Sequence, residues 1–197
     1  MSKTILCFVA LVLIASPALA QAPSGVPVFQ ISTAQSTIKF DVEASVAIGG
    51  TFDRWQAALT FTSPDAESAV FDVKIDADSV DTGSGIKNNK LKSADFFDVR
   101  NNPYITFRST KIVQTGPTTF ELDGNFTIRG VTRPEHLMLT ISGKGTGSGS
   151  ITGTMAFDRK DYGMNSGIPF IRIANRVQVT VNLVGTRVAG PPVVFQQ

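Results

Sequence analysis

His136 is the only histidine in the chain and therefore the first candidate for acid–base chemistry. It follows Pro134 and Glu135 at the start of a predicted strand, with the opposite parity to Leu137 and Leu139, so it is expected to face solvent. A catalytic histidine needs an orienting acid and a nucleophile within reach. The sequence contains no Gly-x-Ser-x-Gly elbow and no patterned partner. We therefore expect a protein that is not an enzyme.

Metal, cofactor and phosphate chemistry have equally little support. A lone histidine with no His-x-Glu spacing does not predict a metal site. Asp76, Asp78 and Asp81 suggest a calcium cluster, but the first two share the polar face of a strand, and a solvated face explains them better. The run Gly143–Gly149 is not followed by Gly-Lys-Ser/Thr or by a helix, so it predicts a hairpin tip. We expect no metal and no cofactor.

Composition and charge exclude further classes of function. The chain has 197 residues, enough for one domain with a substantial core, and its formal net charge is only +2. A nearly neutral chain argues against the basic stripe that binds nucleic acids. It also argues against a polybasic segment that binds anionic lipid. Phe, with 14 copies, greatly outnumbers Tyr with 2 and Trp with 1, which indicates a large apolar interior.

The first 20 residues are typical of a cleaved signal peptide. Lys3 gives a positive start, Ile5–Ile14 is an apolar run, and Ala18–Ala20 supplies small residues before a cut ahead of Gln21. The run is too short for a permanent membrane span, so no stable membrane insertion is expected, although an uncut anchor is the alternative. Cys7 leaves with the signal, and the mature chain is then free of thiols.

The remaining chain alternates apolar and polar residues with a period of two. The centre of this pattern is a hairpin at Gly124–Pro134, which turns at Gly130, and roughly eight such strands occur in all. Ile86–Ser93 is the best candidate for a helix. A flexible lead-in is predicted at 21–28 and a frayed tail at 189–197. The pattern predicts an all-β sandwich or an antiparallel barrel, whose interior is either solid or holds a ligand.

Five motifs resemble, in order and spacing, the YceI-like family; they are Ser79–Gly83, Leu91–Phe97, Ile105–Phe107, Gly124–Pro134 and Arg159–Met164. The resemblance covers residues 29–188. It implies an eight-stranded antiparallel, lipocalin-like β-barrel with one short helix, whose apolar bore holds a polyisoprenoid or another long-chain lipid. Many members of that family are exported to the periplasm, which agrees with the predicted signal peptide.

Two departures from the family pattern concern the polar end of a ligand. Family members often carry a histidine in the first strand, where Ala44 and Ser45 stand in this chain. Many also have an Arg-Asp-x-His-Leu run, and the matching stretch here is Lys87–Leu91, with no histidine and no acid. If those groups hold a polar head in relatives, this protein holds it differently or prefers a less polar ligand.

The resemblance and the strand parities together give a set of candidate ligand contacts. The apolar bore is predicted to be lined by Phe40, Val42, Phe52, Leu59, Phe61, Phe71, Val73, Ile75, Phe107, Phe126, Ile128 and Phe157. Four residues are predicted at a mouth or head-group site: Lys90, Lys92, Tyr162 and Met164. A solvated helix face is the alternative for the lysines, and a plugging loop is the alternative for the other two.

The predicted function is that of a secreted or periplasmic carrier of a polyisoprenoid or quinone-like lipid. The alternative is a solidly packed domain that acts as an interaction or inhibitor module through its loops. A homodimer is left open by the sequence.

Overall fold

A computed structural model describes residues 25–45, 48–167 and 172–196, and within them β-strands dominate. The strands are β1 (Val28–Ala44), β2 (Ile48–Phe52), β3 (Trp55–Phe61), β4 (Ala69–Asp76), β5 (Val80–Asp81), β6 (Tyr104–Gln114), β7 (Thr119–Ile128), β8 (Val131–Ile141), β9 (Ser148–Asp158) and β10 (Ile173–Ala189). Helix α1 spans Gly85–Lys92, and short 3₁₀ turns span Ala66–Ser68, Ala77–Ser79 and Arg159–Tyr162. The predicted signal peptide at 1–20 lies outside the described residues.

Eight of these strands close into an antiparallel barrel. Their order is β1, β3, β4, β6, β7, β8, β9 and β10, and β10 returns to pair along β1 from Val28–Ala189 to Ala44–Ile173. The short strands β2 and β5 lie outside this ring, where β2 pairs with β1 and β5 pairs with β2. The prediction of an all-β, eight-stranded antiparallel barrel with one short helix is confirmed, and the structure adds these two strands to it.

The central hairpin shows why the sequence folds in this way. Phe120, Leu122, Phe126 and Ile128 on β7 are all buried, because alternate residues of a strand point to the same face. The two residues between β7 and β8, Arg129 and Gly130, have φ angles of 53° and 73°. Two successive positive φ values are the geometry of a type I′ turn, whose twist matches that of the flanking strands.

Gly124 interrupts the apolar row of β7 for a steric reason. A Cβ atom at this position would lie 2.4 Å from Cζ of Phe107 and 2.7 Å from the carbonyl oxygen of Arg108. Only glycine leaves room for the aromatic ring of β6 to lie against the backbone of β7. This close approach places the Phe107 ring in the middle of the barrel interior.

The residues after β10 lie against the barrel, although the sequence predicts a frayed tail there. Val194 accepts a hydrogen bond from the backbone N–H of Ala66 at 2.9 Å. The Gln114 side chain donates to the carbonyl of Gln196 at 3.0 Å and accepts from the Gln196 backbone N–H at 2.8 Å. The Phe195 side chain packs against the core. Hydrogen bonds to distant strands hold this segment, and they are not visible in a local pattern.

Candidate functional site

Two cavities lie within the described part of the barrel, one toward each end of the strands. The larger cavity, of about 150 Å³, lies beneath the β8–β9 hairpin and the C-terminal tail. The smaller cavity, of about 80 Å³, is closed by α1, the turn that follows α1, and the 3₁₀ turn after β9. Both are walled mainly by apolar side chains.

A belt of buried side chains separates the two cavities. On β4, Ala69 lines the larger cavity and Ile75 lines the smaller one, while the residues between them line neither. We call this group the belt; its members are Phe71, Val73, Phe107, Met155, Val181 and Leu183, all of them buried. The rings of Phe71 and Phe107 have centroids 6.3 Å apart. A cavity of roughly 150 Å³ suits a molecule the size of benzene, so a longer chain requires the belt to move.

The structure buries or half-buries every residue predicted to line the bore, and it distributes them unevenly. The smaller cavity receives Phe40, Val42, Phe52, Ile75, Phe126, Ile128 and Phe157. The larger cavity receives Leu59 and Phe61. Phe71, Val73 and Phe107 belong to the belt. Their contact with a ligand stays a prediction.

The two lysines predicted near a mouth form ion pairs at the surface of the α1 end. Nζ of Lys90 lies 2.5 Å from Oδ2 of Asp95 and 5.7 Å from the centroid of the Phe96 ring. The hydrogen bond and the charge of Lys90 lower the pKa of the Asp95 carboxyl. Nζ of Lys92 lies 3.2 Å from Oδ1 of Asp78. Neither lysine lines a cavity, so both are engaged away from the bore.

Tyr162 and Met164, the two loop residues predicted at a mouth, have different surroundings in the structure. Met164 is buried and lines the smaller cavity. Tyr162 is fully buried and lines neither cavity, with its ring centroid 5.5 Å from Phe126 and 5.2 Å from Phe157. Its hydroxyl donates a hydrogen bond to Oε1 of Glu135 at 2.6 Å. Burial, and then the Glu135 hydrogen bond and charge, raise the pKa of this phenol. The Tyr162 ring thus packs against β7 and β9, and its hydroxyl is bonded to β8 and is not free to bind a ligand.

Arg159 is a buried residue of this end that sequence reasoning missed. Its guanidinium donates to the carbonyls of Met164, Ser166 at 3.0 Å and Ala174 at 3.1 Å, and it forms no ion pair with the described residues. These bonds anchor the loop after β9, while the arginine contributes to an otherwise apolar cavity wall. The sequence did contain a signal for it. Arg159 lies two residues after the inward-facing Phe157 of β9, and so has the parity of a buried position although it is charged.

The rim of the larger cavity carries two cations that sequence reasoning also missed. Lys144 is exposed on the β8–β9 hairpin, with Nζ 4.6 Å from the centroid of the Phe195 ring. Arg187 on β10 is half-buried and donates to the carbonyl of Gly190. No acidic residue is among the described residues that line this cavity. Alternation along β10 would have indicated Arg187, which has the same parity as the buried Leu183.

His136 lies on the outer face of the barrel, as its parity predicts, and it has a partner that the sequence analysis did not find. Nδ1 of His136 is 2.6 Å from Oδ1 of Asp123, and the histidine side chain is 86% exposed. The two residues are paired in register across β7 and β8. Within the described ranges, no cluster of three or more His, Cys, Asp or Glu side chains is arranged to hold a metal ion.

The YceI-like domain family matches residues 29–185. This chain belongs to that family. The resemblance read from the five motifs is thereby confirmed.

None of the helices among the described residues is long and apolar enough to cross a membrane.

Several YceI-like relatives are only moderately similar to this chain. A UPF0312 protein of Azotobacter vinelandii is 32% identical over 96 residues, which is 49% of this chain and 50% of that protein. A UPF0312 protein of Pseudomonas savastanoi pv. phaseolicola is 29% identical over 122 residues, which is 59% of this chain and 64% of that protein. The chain therefore matches less than two thirds of the length of these relatives.

Solved structures share the fold at low sequence identity. BcnA of Burkholderia cenocepacia superposes with a TM-score of 0.71 at 23% identity, covering 79% of this chain and 99% of BcnA. A domain from Saccharophagus degradans, described as polyisoprenoid-binding and implicated in plant cell wall breakdown, gives a TM-score of 0.66 at 14% identity. That match covers 82% of this chain and 99% of the domain.

Proposed function

We propose that this YceI-like protein binds and carries one long-chain isoprenoid-type lipid inside its barrel and catalyses no reaction. The observation that carries the proposal is the pair of apolar cavities toward the two ends of one barrel interior, with the side chains of the belt between them. The polyisoprenoid-binding description of the Saccharophagus degradans domain supports the class of ligand.

A lipid bound along the bore would have to displace the belt. Aromatic and aliphatic side chains such as Phe71, Phe107 and Leu183 can change rotamer, at a cost of about 0.5–1.5 kcal/mol for each one held away from its preferred angle. A chain of about twenty carbons gains roughly 6 kcal/mol at ~0.3 kcal/mol per atom, and at most about 16 kcal/mol at ~0.8 kcal/mol per methylene. A binding free energy between these two values can offset the cost of opening the belt and still give micromolar affinity.

The outer surface supports a binding function over catalysis. The His136–Asp123 pair could orient an imidazole, but the histidine is 86% exposed and lies on the outside of the barrel, away from both cavities. A substrate held in the bore could not reach it. General acid–base chemistry on a bound lipid would need such a group within hydrogen-bonding distance of the reacting atom.

We also propose that the protein works in the periplasm after removal of residues 1–20. The support is the charge, apolar run and small residues of that segment. Recovery of the protein from a periplasmic extract with Gln21 as its first residue is the expected result. Recovery of an uncut chain in the membrane fraction would contradict it.

Calorimetric titration of delipidated protein tests the carrier function. Geranylgeraniol, with twenty carbons, is expected to bind as one molecule per protein with micromolar affinity and a negative heat-capacity change, which is the signature of apolar burial. Geraniol, with ten carbons, fills only one cavity and is expected to bind at least tenfold more weakly. Equal affinities for the two alcohols, or binding of neither, would refute a bore that holds a long chain.

A further inference from the structure

We propose that the lipid lies in one orientation, with its chain toward α1 and an anionic head group, phosphate or carboxylate, held by Lys144 and Arg187. We call these two side chains the cationic rim. The inference deepens the proposed function and rests on it, because it assigns the orientation and head-group class of the ligand carried in the bore.

The two cavities differ in polarity, and this difference sets the orientation. Apart from Arg159, the smaller cavity is lined by apolar side chains, and Leu91, Phe96 and Phe97 close it at the α1 end. Arg159 keeps its positive charge there, but its Nε and Nη1 atoms already donate to backbone carbonyls that anchor the loop after β9, so these N–H groups are not available to a head group. Burying a polar head in such a wall without partners would cost several kcal/mol. The smaller cavity therefore suits the end of a hydrocarbon chain.

The larger cavity combines apolar walls with a charged rim. Phe61, Phe120, Leu122 and Leu139 line its interior, while Lys144 and Arg187 lie among its lining residues. An apolar pocket with polar groups gathered at one side is the pattern that orients an amphiphile. This cavity therefore suits the head and the first carbons of the ligand.

The rim cations have no carboxylate partners among the described residues. Lys144 contacts the Phe195 ring at 4.6 Å and the Pro117 carbonyl at 3.5 Å, and Arg187 donates to the Gly190 carbonyl. No salt bridge involves either of them within the described ranges. Ammonium and guanidinium groups pair well with phosphate and carboxylate oxygens, and a guanidinium does so through two parallel N–H groups.

The backbone of the β8–β9 hairpin leaves the rim accessible. Gly143, Gly145 and Gly147 have φ angles of 73°, 81° and 80°, which favour glycine. A Cβ atom at Gly147 would lie 4.0 Å from Nη2 of Arg187. Gly147 therefore passes close to the guanidinium without a side chain that would cover it, and a head group can approach from solvent.

The test compares two ligands with the same chain and different heads. Geranylgeranyl phosphate and geranylgeraniol are titrated against delipidated wild type, Lys144→Gln, Arg187→Gln and the double variant. The matched control is Lys39→Gln with Arg176→Gln, which removes two exposed cations that line neither cavity. Inorganic phosphate is titrated alone and as a competitor, so that a lipid head group is distinguished from a free anion.

Wild type and the control are expected to bind the phosphate about tenfold more tightly than the alcohol, because two partly exposed charge contacts contribute on that order. Each single variant should lose about threefold of this preference, and the double variant all of it, with unchanged affinity for the alcohol. Unchanged alcohol binding also shows that the variants are folded. Inorganic phosphate should not compete, because it lacks the chain.

Four results would overturn the inference. They are equal binding of phosphate and alcohol by wild type, a preference that survives in the double variant, an equal loss in the control, or effective competition by inorganic phosphate. Each of these leaves the proposed function standing if geranylgeraniol still binds with one molecule per protein. Failure of both lipids to bind would remove the proposed function and this inference together.

Discussion

Replacement of Phe71 by alanine should open a passage between the two cavities and lengthen the chain that the barrel accepts. Phe71 is 1% exposed, and its ring packs against Phe107 with centroids 6.3 Å apart. Truncating such a buried ring costs about 3–5 kcal/mol of folding free energy, which leaves a typical domain folded. The variant removes one ring that a long ligand must otherwise displace.

The gain in affinity follows from the interactions that the ligand no longer breaks. Holding one side chain off its rotamer costs about 0.5–1.5 kcal/mol, and separating an aromatic pair costs a similar ~0.5–1.5 kcal/mol. Phe71→Ala should therefore bind geranylgeraniol by about 1–3 kcal/mol more tightly than wild type, which is roughly fivefold to more than a hundredfold. Geraniol, which fits one cavity, should gain much less.

Phe120→Ala provides the matched control. Phe120 is 6% exposed and lines the larger cavity, so its truncation costs comparable stability without joining the cavities. Urea unfolding gives the loss of stability of both variants, and calorimetric titration gives their affinities for the two alcohols. The reasoning about the belt is refuted if Phe71→Ala shows no selective gain for the longer alcohol, or if Phe120→Ala shows the same gain.

Three further predictions concern other parts of the barrel. Tyr162→Phe should lower the free energy of unfolding at pH 7 by about 1–3 kcal/mol through loss of a buried hydrogen bond. Because folding raises the pKa of this phenol, wild type should also lose stability as pH rises above ~10, where the unfolded phenol ionises. The variant lacks the phenol and should lose less stability over this range. Urea unfolding at several pH values measures both effects. Gly124→Ala should cost about 1–3 kcal/mol in thermal unfolding, because its Cβ would lie 2.4 Å from Phe107, whereas Gly167→Ala, in open space, should be near neutral. A chain that ends with β10 should release bound lipid several-fold faster in stopped-flow measurements, because the removed tail lines the larger cavity, and an unchanged rate would contradict this role.

The strands and the helix could be read from the sequence because their signals are local. Alternation predicted the buried row of β7, and the predicted helix at Ile86–Ser93 differs from Gly85–Lys92 by one residue at each end. β5, with two residues, is too short to show an alternation. The pairing of His136 with Asp123 could also have been found, by counting outward along the strands from the turn at Gly130.

The details of the candidate site could not be read in the same way, because they depend on contacts between residues distant in sequence. Lys92 is paired with Asp78, and the Tyr162 hydroxyl with Glu135, and neither pairing follows from spacing along the chain. The division of the interior by Phe71 and Phe107 depends on side-chain volumes across β4 and β6. Periodicity identifies which residues face inward, but it does not show how much space they leave.

Native mass spectrometry of the protein purified from its own host, followed by lipid extraction, tests the carrier function where it acts. One non-covalent adduct per chain is expected, released into organic solvent as a long isoprenoid lipid, with a phosphate or carboxylate head if the cationic rim binds as proposed. A quinone-like lipid would retain the carrier function and exclude the anionic head. Protein that carries no lipid from its host, and that binds no geranylgeraniol afterwards, would show that the barrel is not a lipid carrier.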